Sequence, residues 1–199
     1  MFTVRRAAIV ALPALLVFGL TGCSLLQAKD ADNTPTGIAS CALGHTWKVD
    51  TTDLAAKVLT ALKKNGLPVT AVTADGTQTL DWSTKGAVSV ASDYTLVVTL
   101  TPAAGQSTVA TQTHKGTETG KAYIDGQVAI PRGWNSSNFT VATKFVINGK
   151  EKATADPDPF TIIETDFNDS VGLELTCTGD TMTTHPRGRQ ITQSWKRSN

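Results

Sequence analysis

The sequence predicts a mainly β fold: an antiparallel, up-and-down, β-barrel-like domain with one α-helix after the first strand. Three observations lead there. The chain is rich in Thr, Val and Gly, which suit strands and turns better than helices. About ten short apolar–polar alternations follow one another at intervals of roughly 8–14 residues, separated by Gly, Pro, Asn and Asp. A single segment, residues 54–65, departs from that pattern and keeps helical spacing instead. Short connections between successive strands favour a meander.

In chain order, Arg5 and Arg6 precede an apolar run over residues 7–20, which ends in Leu20-Thr21-Gly22-Cys23. A short basic end, an apolar core and small residues at a cut are the layout of a secretory signal. The run is shorter than the roughly 20 residues a membrane span needs. Leu-Thr-Gly-Cys resembles the lipobox of bacterial, actinobacterial-type lipoproteins. That resemblance implies a signal peptide over residues 1–22, cleavage before Cys23, and lipid attachment to the Cys23 thiol. An ordinary signal peptide with a chance cysteine is the alternative. One acyl chain holds a protein marginally, at roughly 0.8 kcal/mol per buried methylene, whereas two or three hold it durably. The expected partner is therefore a membrane, through N-terminal acyl chains, with the protein anchored on the extracytoplasmic face of the cell membrane. Residues 23–40, with Lys29, Asp30, Asp32, Asn33, Pro35 and Gly37, read as a lipidated flexible tether with a mean reach of roughly 20–25 Å.

The domain is expected over residues 41–199. Cys41, Leu43, His45, Trp47 and Val49 share a face if they form a strand. Asp50-Thr51-Thr52-Asp53 supplies capping side chains, and Leu54, Val58 and Leu62 recur at i, i+4, i+8. Gly66 suits a C-cap and Pro68 prevents resumption. Strands then follow at residues 69–74 and 77–82 about an Asp75-Gly76 hairpin, at 87–91, at 94–101 and at 107–114. Residues 115–120 read as a polar turn before a strand at 122–130. Phe139, Val141, Phe145 and Ile147 alternate up to an Asn148-Gly149 hairpin signal. The Asp156-to-Pro159 stretch breaks structure before residues 160–167. Leu173, Leu175 and Cys177 share a face, and residues 190–197 close the chain.

Removing residues 1–22 leaves 16 basic and 17 acidic residues, a net charge of −1. Such a balance gives no reason to expect nucleic acid as a partner. With Cys23 taken by lipid, Cys41 and Cys177 remain as a disulfide pair in an oxidising compartment. Closing so long a loop is worth at most about 4–5 kcal/mol on the chain-entropy model. Two unrelated buried thiols are the alternative.

An early Gly-x-x-Trp (Gly44, Trp47), a meander, and a late Cys177-Thr178-Gly179-Asp180 followed by Trp195-Lys196-Arg197 resemble actinobacterial lipoproteins with lipocalin-like barrels. The resemblance covers most of residues 41–197 and implies a barrel able to hold a small apolar ligand.

Chemistry-bearing motifs are sparse. His45, His114 and His185 lie about 70 residues apart, without metal-ligand spacing, so no metal or cofactor is expected. Residues 116–120 lack the lysine and following helix of a phosphate-binding loop. Asp156, Asp158, Glu164 and Asp166 are interrupted by two prolines and read as a solvated loop rather than a calcium site. Asn135, Asn138 and Asn168 head Asn-x-Ser/Thr triplets that read as polar turns. Among the aromatics, Trp47, Trp82, Phe139 and Phe145 are candidates for lining a cavity, with core packing as the plainer role, favoured for Trp47 and Trp195. The expectation is a monomeric, non-catalytic cell-envelope binding module, for a lipid or other small apolar ligand. A filled interaction domain contacting an envelope protein or polymer is the rival, and an enzyme stands third.

Overall fold

The computed structural model describes residues 36–156, 158–161 and 172–198. The expected signal, Cys23 and most of the tether lie outside them, as do Glu164, Asp166, Asn168 and most of the strand expected at 160–167. Nine strands form one antiparallel sheet. They are β1 (His45–Val49), β2 (Val69–Trp82), β3 (Ala87–Leu100), β4 (Thr108–Asp125), β5 (Val128–Ile147), β6 (Lys150–Lys152), β7 (Leu173–Thr178), β8 (Thr181–Pro186) and β9 (Gln193–Ser198). Strands β1 to β5 pair in sequence order, β5 pairs with β7, and β8 and β9 follow. Pairing of β9 with β1, Val49 opposite Trp195, closes the sheet in a ring, with β6 a short spur on β5.

Helix α2 (Thr51–Lys64) lies directly after β1, as its periodicity requires. The Asp50 carboxylate accepts from the Asp53 amide at the N-cap, and Gly66 takes a positive φ of 79° just beyond the C-cap. Its buried stripe is Leu54, Ala55, Val58, Ala61 and Leu62.

Several expectations are corrected. Cys41 sits not in a strand but in a one-turn helix, α1 (Ile38–Ala42), which falls at the end of the expected tether. Asp75-Gly76 is not a hairpin: β2 runs straight through it, as β3 runs through Ser92-Asp93. Residues 115–120 are not a turn but the middle of β4, and the turn falls at Gly126 instead, inside the strand expected at 122–130. Strand β8, adjoining Gly179-Asp180, was not expected at all. The Asn148-Gly149 hairpin is present, both residues at positive φ. Asp158 caps a short 3-10 turn at Pro159–Thr161.

The misread glycines have a structural task. Gly76 and Gly116 hold φ of 106° and 119° in mid-strand, and a β-carbon on either would collide with backbone of the neighbouring strand. Only glycine fits the strand backbone at these points, and the buried side chains gather in two clusters. One cluster fills the closed part of the ring: Trp47, Trp82 and Trp195, each at most 2 % exposed, with Val49, Leu80, Val90, Leu173, Leu175 and Met182. The other lies under α2 and gathers Leu54, Val58, Leu62, Val69, Leu96, Val98, Leu100, Phe145, Phe160 and Ile191.

A polar layer separates them. Gln193 donates to Gln78 (3.2 Å), and Gln78 to Ser92 (3.1 Å). Glu118 Oε1 accepts from Trp134 Nε1 (3.1 Å) and Ser136 Oγ (2.8 Å). Buried polar groups are tolerable because these partners replace water.

Candidate ligand cleft beside helix α2

The exposed face of α2 carries Ala56, Lys57, Thr60 and Lys64, one side chain about every turn. Facing it is the connection between β8 and β9, pinned by Ile191, which is buried in the second core cluster. Asn65 Nδ2 donates to Gln190 Oε1 (2.7 Å) and to the Ala61 carbonyl (2.8 Å), clamping that connection to the helix end. The two walls enclose an open cleft of about 550 Å³, completed by Arg189 and Thr192.

Three of the eight lining residues are cationic and none is acidic. Lys57 Nζ is held by Asp53 Oδ2 (2.6 Å) and donates to Ser194 Oγ (2.8 Å), which fixes its position. Lys57 and Lys64 are seven residues apart, so they stand on one helix face about 10 Å from each other. Lys64 also lies near the negative end of the helix dipole, which stabilises its charge. Thr60 Oγ1 donates to the Ala56 carbonyl (2.9 Å).

Thr192 Oγ1 and His185 Nδ1 are 3.1 Å apart. A hydroxyl beside an imidazole is one part of a nucleophilic site, but the base needs a third group to orient it. No such partner holds His185 Nε2 among the described residues. Nor does any group of three His, Cys, Asp or Glu there have metal-binding geometry.

No protein-family model matches the chain, and no curated protein matches it either. Its chemistry therefore rests on its own residues.

The residues singled out by sequence lie elsewhere. Cys41 and Cys177 are bonded, with Cα atoms 5.9 Å apart, tying α1 to β7. Trp47 and Trp82 are packed inside the first cluster and Phe145 inside the second. Phe139 is half-buried on the inward face of β5, 6.0 Å from the His114 ring. His114 in turn stacks on Tyr94 at 4.4 Å, and burial pushes its pKa down to about 4. None of the four candidates touches the cleft. The seven-residue spacing of Lys57 and Lys64 puts both on one helix face, a signal not singled out from sequence, whereas nothing local to Arg189 announces that it faces them.

Proposed function

We propose that this chain is a lipid-anchored, non-catalytic binding module of the cell envelope, and that the α2 cleft takes a small ligand bearing phosphate or carboxylate. The carrying observation is the cleft's lining: Lys57, Lys64 and Arg189 converge on one open volume with no carboxylate among the lining side chains. Anionic oxygens gain most where cations converge in a partly enclosed site. The anchor rests on the lipobox-like Leu20-Thr21-Gly22-Cys23. Reading the ring as a small lipocalin-like barrel draws support from its sequential antiparallel pairings and β9–β1 closure.

The test is an NMR titration with inorganic phosphate. Saturable shifts at Lys57, Lys64, Arg189 and Thr192, abolished by Lys64→Glu with Arg189→Glu, support the reading. Absent shifts, or shifts indifferent to those substitutions, overturn it.

One observation favours a second reading, carriage of an apolar ligand. Val141 lies opposite His114 on the inward face of β5 yet is 43 % exposed, next in that face to Phe139. Native mass spectrometry of mature protein from its own membrane distinguishes the two. A retained lipid mass favours carriage, and an empty protein favours the cleft.

A further inference from the structure

Two of the three large hydrophobics that the described residues expose, Tyr123 (54 %) and Ile130 (37 %), stand directly opposite each other on the β4–β5 hairpin. Next along the hairpin, Lys121 stands opposite Arg132. Like charges in directly opposed positions repel, and no carboxylate pairs with either among the described residues. The outer face of this hairpin thus presents an apolar pair beside an uncompensated basic pair.

Its place in the fold matters as much as its composition. The hairpin tip lies at the end of the ring where the chain enters. Ala122 N donates to Gly86 O (2.8 Å) in the β2–β3 turn, and Gly44 N, just before β1, donates to Trp82 O (2.6 Å) beside that same turn. The Cys41–Cys177 bond fixes α1 there as well. The described chain begins at Thr36, thirteen residues after Cys23. Covalent geometry alone keeps an acylated Cys23 within about 45 Å of that point. The α2 cleft is built at the other end, where α2 runs away from β1 toward Val69.

We propose that this hairpin face is a second, weak membrane contact, with Tyr123 and Ile130 entering the headgroup boundary and Lys121 and Arg132 resting on the phosphates of anionic phospholipid. The proposal rests on the anchored reading for its biological setting. Amphipathic aromatic rings and basic side chains are the groups that settle at that boundary. Four side chains bind weakly alone, but an anchor supplies a high effective concentration of bilayer, so a weak contact suffices to orient the domain. Contact at this end leaves the α2 cleft facing away from the membrane. Asp125, on the same hairpin face at the tip, opposes the contact.

The mature-length chain carrying Cys23→Ser, which has no acyl anchor, isolates the patch. It is added to phosphatidylcholine vesicles with and without phosphatidylglycerol, some containing spin-labelled lipid. The expected result is flotation only with phosphatidylglycerol, with broadening of the Tyr123 and Ile130 NMR signals. Tyr123→Ser with Ile130→Ser, and separately Lys121→Glu with Arg132→Glu, should reduce flotation several-fold, and Asp125→Asn should raise it. Unchanged melting temperatures exclude misfolding, since all five side chains are exposed or half-exposed. Binding indifferent to phosphatidylglycerol or to these substitutions overturns the proposal. So does broadening that needs no vesicles and grows with protein concentration, which would assign the patch to a second copy. If Cys23 proves unacylated while this chain still floats through the patch, the anchor reading falls and the contact stands.

Discussion

Trp82, Trp47 and Trp195 fill the same cluster, yet their indole N–H groups differ. Trp47 Nε1 donates to the Ala42 carbonyl and Trp195 Nε1 to Thr184 Oγ1, both at 3.0 Å. Trp82 Nε1 is buried without an acceptor among the described residues. Replacing each with Phe removes a similar volume; Trp47 also lies under the Arg197 guanidinium at 5.2 Å, so Trp195 against Trp82 is the cleaner comparison of the hydrogen bond. Trp47→Phe and Trp195→Phe should each cost about 1–3 kcal/mol more than Trp82→Phe, because they strand a buried acceptor. Urea denaturation measures this, and equal losses at all three positions would contradict it. His114 gives a pH signature at the same scale. It is neutral when folded because burial depresses its pKa to about 4, against 6.5 when exposed. Between those values the unfolded chain binds a proton that the native state does not, so stability falls as pH drops from 6.5 toward 4. The loss approaches about 3 kcal/mol and should vanish in His114→Phe. Asp50 acts in a separate window. Its pKa is held down by the Lys196 hydrogen bond, so it helps above its ordinary value of 3.8 and fails below that. Asp50 is half-buried but its partner Lys196 is exposed, so the pair contributes little.

Elements were legible where apolar periodicity was strong and illegible where the interior is polar. Helix α2 and the Asn148-Gly149 hairpin could be read because cap chemistry and periodicity agreed. The β4 stretch from Lys115 to Gly120 read as a turn because its inward positions are Gly116, Glu118 and Gly120. Glu118 belongs to the polar layer, and Gly120 leaves room for the Trp134 ring, features no local pattern reveals. Asp75-Gly76 misled for a related reason. Glycine signals a positive φ, which both a hairpin turn and a mid-strand position tight against the neighbouring strand require, and sequence does not say which. Gly116→Ala should therefore cost about 2 kcal/mol or more, from left-handed strain plus collision with the Asn138 backbone. Gly133→Ala, at φ 60° with open space around it, should cost only about 1 kcal/mol. Thermal unfolding of the two variants tests the contrast, and reversal of that order would contradict the role given to Gly116.

Across the whole molecule, the ring closes by pairing β1 with the last strand, β9, whereas β7, which carries Cys177, lies two strands beyond β9. The Cys41–Cys177 pairing came from cysteine arithmetic once Cys23 was assigned to lipid, and the assumption that both lay in strands proved unnecessary to it. The α2 cleft was out of reach because its two walls are more than a hundred residues apart in sequence and meet only through closure of the ring. The proposed picture is a domain held to the envelope through Cys23, with one end where the chain enters and the other bearing a cationic cleft. Its central claim is the anchor, and intact-mass analysis of protein extracted from its native membrane tests it most directly. The account predicts the mass of residues 23–199 with a diacylglyceryl group on Cys23, less two hydrogens for the Cys41–Cys177 bond. An unmodified Cys23, or a chain retaining residues before it, would contradict the account.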